Sequence, residues 1–261
     1  MRVVVTGAAG LVGGAAVRRF AAEALTHRDL DITDRVAVET QLRGTDLVIN
    51  CAVIGVDECQ DDPALARAVN VDGPANLARA AKSIVHFSSN YVFDGGEEKL
   101  YSIADDARPV NAYGRTKLAG EREVMGINPH AFVVRSSWIF GPGKSSFIST
   151  VHRKLRNGEG VRAVSDVWAS ATYVDDLIEA VARIVDRREY GLHQIVNAGV
   201  CSNETFAREA AKIVGADPSL IEAVSTRHAH RAPRPRYTPM QSTAPLRDWR
   251  DALADYIRLQ G

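Results

Sequence analysis

The sequence predicts an α/β protein built on a doubly wound parallel sheet, and three observations lead there. Short apolar runs of strand length alternate with longer helical patterns across the first 140 of 261 residues. The opening valine run passes straight into a glycine-rich turn, TGAAGLVGG. Strands that follow one another through helices pair in parallel, with a right-handed crossover at each step.

Residues 2–6 are a valine run bounded by glycine, which reads as a strand buried on both faces. Residues 11–23 are alanine-rich with helical periodicity, and residues 24–27 return as a second short strand. A helix over 36–43 leads to an apolar strand over 47–52. A long helical pattern over 63–82 places Leu65, Val69, Leu77 and Ala81 on one stripe. Strand 84–87, helix 109–125 and strand 131–135 complete the regular alternation. Past Gly141 it loosens into helix 147–155, strand 161–164, helix 174–185 and strand 192–196. Helix 206–214, introduced by Ser202 as N-cap, and helix 247–259 close the chain. No linker or low-complexity segment divides it, so it reads as one compact unit with a core over 1–140 and a smaller lobe over 141–261, parts of which return to the core.

The bulk composition excludes several function classes. Lys and Arg total 32, as do Asp and Glu, so no global field recruits nucleic acid or an anionic membrane. The run RHAHRAPRPR over 227–236 is locally basic and suits an anionic small molecule. No stretch approaches the ~20 apolar residues that span a bilayer. Cys51, Cys59 and Cys201 are odd in number and lack metal-ligand spacing, so a reduced, cytoplasmic protein is expected.

The turn places Gly7, Gly10 and Gly13 directly after a strand and at the opening of a helix. That context suits a tight turn, close approach to a pyrophosphate and close helix packing, with the helix N-terminus facing the phosphates. A Rossmann-type dinucleotide site is expected. The end of the second strand, ALTHR over 24–28, holds no carboxylate to grip both ribose hydroxyls. Arg28 instead suits a 2′-phosphate, so NADPH is the expected cofactor, with NADH as the alternative.

Tyr113 and Lys117 are spaced i, i+4, on one face of a helix, and follow a strand ending in Ser88-Ser89. Such a strand end is the carboxyl edge of the sheet, where ligands of open α/β folds sit. A phenol with an ordinary pKa near ~10 is a poor proton carrier at neutral pH. An adjacent ammonium is expected to lower it, and a serine hydroxyl polarises a carbonyl.

Together these segments resemble the dTDP-4-dehydrorhamnose reductase-like family of the short-chain dehydrogenase/reductase superfamily. The resemblance runs through TGAAGLVGG, DLDITD, DLVINCAVIGVDECQDDPALARAVNVDGPANLA, HFSSNYVFDG, NAYGRTKLAGE, VVRSSWIFGPG and GLHQIVNAG to the late RPR. It implies a catalytic trio of Ser89, Tyr113 and Lys117, with Lys117 also holding the nicotinamide ribose. It implies cofactor contacts from Leu11, Val12, Asp31, Ile32, Cys51, Ala52, Val53, Asn70, Ser88 and Tyr113. Trp138 matches a tryptophan that packs on the sugar, and Val56, Ser89, Asn90 and Arg234 lie where the family meets its sugar nucleotide. The later lobe would then be mainly substrate-binding.

Two departures stand out. Asn90 replaces a usual aspartate, and DVWASAT over 166–172 replaces the family's DQxGxPT, leaving the hexose open. No acidic residue lies in 7–22, where some members build a magnesium-linked dimer, so no metal is expected. The implied activity is NADPH-dependent reduction of a 4-keto group on a nucleotide-activated deoxysugar, a dTDP-sugar by resemblance, in a monomer or homodimer. Sugar-nucleotide dehydratases carry an Asp-Glu pair where this chain has Asn90-Tyr91. An epimerase, or a non-catalytic subunit like the methionine adenosyltransferase beta subunit, remains the alternative.

Overall fold

A computed structural model of the chain describes residues 1–143, 145–226 and 232–260. β1 (Val3–Thr6) is buried along its length and leads through the glycine turn into α1 (Leu11–Phe20). α1 stops earlier than its alanine-rich pattern suggests because Ala21 turns left-handed at φ 47°. β2 (Glu23–Leu25) follows at once. α2 (Arg35–Gln41) starts where the Asp34 carboxylate accepts from the amides of Val36 and Ala37, and β3 (Leu47–Asn50) is buried throughout.

The single helix expected over 63–82 is broken. A helix not foreseen, α3 (Val56–Asp61), comes first, then α4 (Pro63–Arg67), a π-helical turn over Ala68–Asp72, and α5 (Gly73–Ala80). Pro74 explains the break. It lacks the N–H that the Asn70 carbonyl would accept, and its ring crowds that carbonyl. The displaced Asn70 carbonyl lies against Gly120, where an added Cβ would come within 2.3 Å.

β4 (Ser83–Ser89) runs on to the serine pair. α6 (Ala112–Ile127) opens at Asn111, whose side chain accepts from the Gly114 amide at 2.7 Å, and β5 (Ala131–Ser136) follows. The later elements are β6 (Ile139–Phe140), α7 (Phe147–Arg156), β7 (Val161–Val164), β8 (Thr172–Tyr173) and α8 (Val174–Asp186). β9 (Gly191–Gln194), α9 (Asn203–Val214), β10 (Ile221–Val224) and α10 (Trp249–Leu259) complete the chain. Ser202 caps α9 as the sequence suggests, accepting from the Thr205 amide at 3.0 Å.

Six strands form one parallel sheet in the order β2-β1-β3-β4-β5-β9. Alternate residues of each strand feed opposite apolar layers. Val5, Ile49, Val85 and Val134 pack toward the side of α1 and α8, while Val4, Val48, Ile84 and Val133 pack toward α2, α5 and α6. This is the doubly wound arrangement expected. The order reverses between β1 and β3, and ligands of such sheets bind in the crevice beyond the strand ends at that point.

β7 pairs with β10, and β6 with β8, in two small parallel sheets. Of the basic run over 227–236, residues 227–231 lie outside the described residues. From residue 232 the chain runs as a strap across the core. The Ala232 amide donates to Asp57 at 2.9 Å, the Pro233 carbonyl accepts from Asn111 at 2.8 Å, and Thr238 accepts from the Asn90 side-chain amide at 2.7 Å.

Candidate active site

The three glycines of the first turn do different jobs. Gly7 has φ +67°, and a Cβ there would lie 2.6 Å from the Ala52 nitrogen. A Cβ on Gly13 would lie 2.3 Å from the Gly7 carbonyl oxygen. Both glycines therefore let α1 and β3 close onto the turn. Gly10 is exposed and is the N-cap of α1, with no side chain capping the helix and no acidic residue in its first turn. The first turn from Gly10 to Gly13 lines a cavity of about 320 Å³, so the positive end of a helix borders it. This edge fits a pyrophosphate.

The same cavity takes the carboxyl ends of β3, β4 and β5. Ser89 ends β4 and is paired across the ladder with Ser136 of β5. α6 brings Tyr113 and Lys117 to it. The close approach of α6 is set by Gly114, where a Cβ would stand 2.1 Å from the Tyr91 carbonyl oxygen. That contact seats the start of the helix on the turn after β4, and the Ser89 hydroxyl lies near enough to the Tyr113 phenol to lower its pKa. The Ser89 hydroxyl also donates to Asn90 Oδ1 at 3.2 Å and accepts from the Tyr91 amide at 3.2 Å.

Burial dominates the electrostatics, and it reverses one expectation. The Tyr113 phenol is pushed up to about 12 by burial, with the nearby Ser89 hydroxyl opposing, rather than drawn down by its lysine neighbour. The Lys117 ammonium is brought down to about 8 by the same burial, with the Glu121 carboxylate opposing. At neutral pH Tyr113 is thus a protonated phenol and Lys117 carries its charge. Beneath them, Asn50 Oδ1 accepts from Thr6 and the Ala52 amide, which turns its NH2 toward His86 Nδ1 at 3.1 Å. Burial, and then the Lys117 charge, hold His86 neutral.

The cavity gathers most of the residues singled out in the sequence. Leu11 and Val12 line it with Gly10 and Gly13, Cys51, Ala52 and Val53 come from the end of β3, and Val56 opens α3. Ser88, Ser89, Asn90, Tyr113, Lys117 and Trp138 complete the expected set. Gly7, Arg28, Asp31, Ile32, Asn70 and Arg234 are outside its lining. Ile32 is a core side chain against Gly73, and Asp31 folds onto Thr33. Asn70 is buried in the π turn, donating to Thr116 at 3.1 Å. Arg28 is exposed past β2, where the nearby Asp29 carboxylate is turned onto Thr26 at 2.7 Å.

A second cavity of about 280 Å³ adjoins the first, and Tyr91, Trp138 and Ile139 line both. Arg234 lines the second and pairs with Asp57 of α3 at 2.9 Å. Trp138 holds a left-handed backbone at φ 36°, a strained setting for an aromatic residue. Tyr91 was not singled out in the sequence. Its ring meets Tyr113 edge-on at 6.0 Å, and burial raises its hydroxyl's pKa. Its only sequence signal was its place between the serine pair and the next turn.

A doubly wound sheet whose glycine turn and Ser-Tyr-Lys trio share one cavity defines a Rossmann-type protein of the short-chain dehydrogenase/reductase class. The chain belongs to the RmlD substrate binding domain family, which matches residues 1–260. It is 42% identical over 277 residues to dTDP-4-dehydrorhamnose reductase of Mycolicibacterium smegmatis, covering 98% of this chain and 85% of that protein. It matches the crystal structure of a dTDP-4-dehydrorhamnose reductase from Clostridium acetobutylicum with TM-score 0.92 and 32% identity, over 100% and 99% of the two chains. The dTDP-4-dehydrorhamnose reductase of Bacillus anthracis in complex with NADP matches with TM-score 0.91 and 28% identity, over 99% of each chain. The resemblance read from the motifs is borne out.

Proposed function

We propose that this protein reduces the 4-keto group of a dTDP-activated 6-deoxysugar with NADPH. The carrying observation is that one cavity is lined by an uncapped helix N-terminus and by Ser89, Tyr113 and buried Lys117. The family relatives named for this reaction, one of them in complex with NADP, support the same reading. Gly10 to Gly13 would hold the pyrophosphate, and Arg28 supplies an exposed cation for the 2′-phosphate. Bound there, NADPH supplies the hydride.

The chain's own residues handle the oxygen. Ser89 donates a hydrogen bond to the keto oxygen and orients it. Tyr113 delivers the proton as alkoxide character develops. A phenol held near 12 still yields its proton readily to an alkoxide, which is far more basic. Lys117 stays charged in the cavity wall to stabilise the phenolate left behind. Trp138 and Tyr91, shared by the two cavities, would flank the sugar, with the nucleotide extending toward Arg234.

The test is to incubate the protein with NADPH and dTDP-4-keto-6-deoxyglucose or its epimerised relative, following NADPH loss and identifying the product by NMR. A new hydroxyl at C4 is expected. NADPH left intact with both sugars would reject the proposal.

The pH profile carries a second expectation. kcat/KM for NADPH should fall as pH rises through about 8, where Lys117 loses its proton. A profile flat well beyond that value would show the charge to be dispensable. Stability should move the other way. Between about 8 and the ordinary lysine value of 10.5 the unfolded chain keeps a proton the native Lys117 has released, so this residue makes stability rise with pH.

A further inference from the structure

Behind the trio lies a buried ionic cluster that the proposed chemistry leaves unused. Tyr113, Lys117 and Glu121 recur every fourth residue of α6 and form one stripe. Glu121 Oε1 accepts from the Ser88 hydroxyl at 2.5 Å and from Arg135 Nε at 2.9 Å, and Oε2 accepts from Arg135 Nη2 at 2.7 Å. Ser88 and Arg135 are themselves ladder partners, immediately before the Ser89–Ser136 pair that ends the two strands. One carboxylate therefore ties α6 to β4 and β5 a single residue short of the reacting edge.

The groups facing Lys117 are Tyr113 and Glu121 of its own helix, Cys51 after β3, Cys59 of α3 and His86 of β4, and Arg135 of β5 joins the cluster through Glu121. Burial holds the two thiols and the phenol protonated and the imidazole neutral. Arg135 is positive. Within this set Glu121 supplies the negative charge. Without it, two buried cations would share the cluster, and lysine is the one that readily gives up its proton.

We infer that Glu121 is a positioning residue for the reaction, fixing α6 in register so that Tyr113 meets Ser89 and keeping Lys117 an ammonium. The inference rests on the reductase reading above. Its test uses two variants of the full chain. Glu121→Gln keeps the shape and removes the charge. The alkaline limb of NADPH binding, followed by nicotinamide fluorescence, and that of kcat/KM should both move down by about one pH unit. Glu121→Asp keeps the charge but withdraws it by one methylene. Its limb should stay near the parent's while kcat falls about tenfold or more at unchanged KM for NADPH.

A purely structural role would lower stability and leave the limb where it is. A Gln variant with the parent's limb, or an Asp variant with the parent's kcat, overturns the inference. If the Gln variant fails to fold, the Asp variant's kcat decides alone. NADPH binding does not involve the sugar, so a parent protein that binds NADPH but reduces no keto sugar sinks the reductase reading, and the binding limb still judges Glu121.

Discussion

Tyr113→Phe should bind NADPH as the parent does and lose about 1,000-fold in kcat, in the middle of the range for a positioned proton donor. The substitution removes one oxygen. The phenyl ring keeps its edge contact with Tyr91, and the Ser89 hydroxyl keeps Asn90 and the Tyr91 amide as partners. No buried group is stranded, so the fold should persist. What disappears is the proton that neutralises the new alkoxide in a cavity whose burial already raises the phenol to about 12. Rates of NADPH oxidation, set beside an NADPH titration, make the comparison. A variant that turns over like the parent would remove Tyr113 from the chemistry.

Arg135→Met should cost about 3–5 kcal/mol of stability, because breaking a buried pair strands its partner's charge. Arg135 and Glu121 side chains are 5% and 1% exposed, against 64% and 48% for the surface pair Arg35–Glu39. An exposed pair of that kind contributes under about 1 kcal/mol. Methionine fills much of the guanidinium's volume, yet it leaves Glu121 with Ser88 and loses the cation over the Phe93 ring at 5.3 Å. Guanidinium-chloride unfolding measures the loss. Adding Glu121→Gln to the Arg135→Met variant should recover part of it, since the stranded carboxylate is then gone. A single variant as stable as the parent would show that the cluster contributes little to folding.

The glycine turn and the Ser-Tyr-Lys trio were legible in the sequence because local rules fix them. Gly7 is needed for a positive φ and Gly13 for a helix that closes on its own turn, while Tyr113 and Lys117 share a face by helical spacing alone. The cluster behind them was not read, although Glu121 continues the same stripe. Arg135 ends a strand that otherwise reads as apolar, and nothing local says that its guanidinium turns inward to a helix. Arg234 was reached only through the family resemblance and Tyr91 not at all, because both line the cavities through contacts between distant segments. The broken helix at Asn70 was signalled by Pro74, but a 20-residue apolar stripe outweighed that signal in the sequence. β6 and β8 are two residues each and exist only because they pair with one another.

The strap that begins at residue 232 bears on the order in which the molecule is made. Its hydrogen bonds to Asp57, Asn111 and Asn90 close sequence gaps of 175, 122 and 148 residues. Contacts that distant form late, after the entropy of closing the loop has been met. During synthesis, strands β1 to β5 leave the ribosome and can pair while the strap is still untranslated. The nascent sheet thus carries its glycine turn and its serine, tyrosine and lysine before Asn90 has Thr238 or Asp57 has the Ala232 amide. The Asp57 and Asn90 side of the cleft is therefore completed only once the strap has been translated, and a chain stalled short of that point is a cleft without a finished floor.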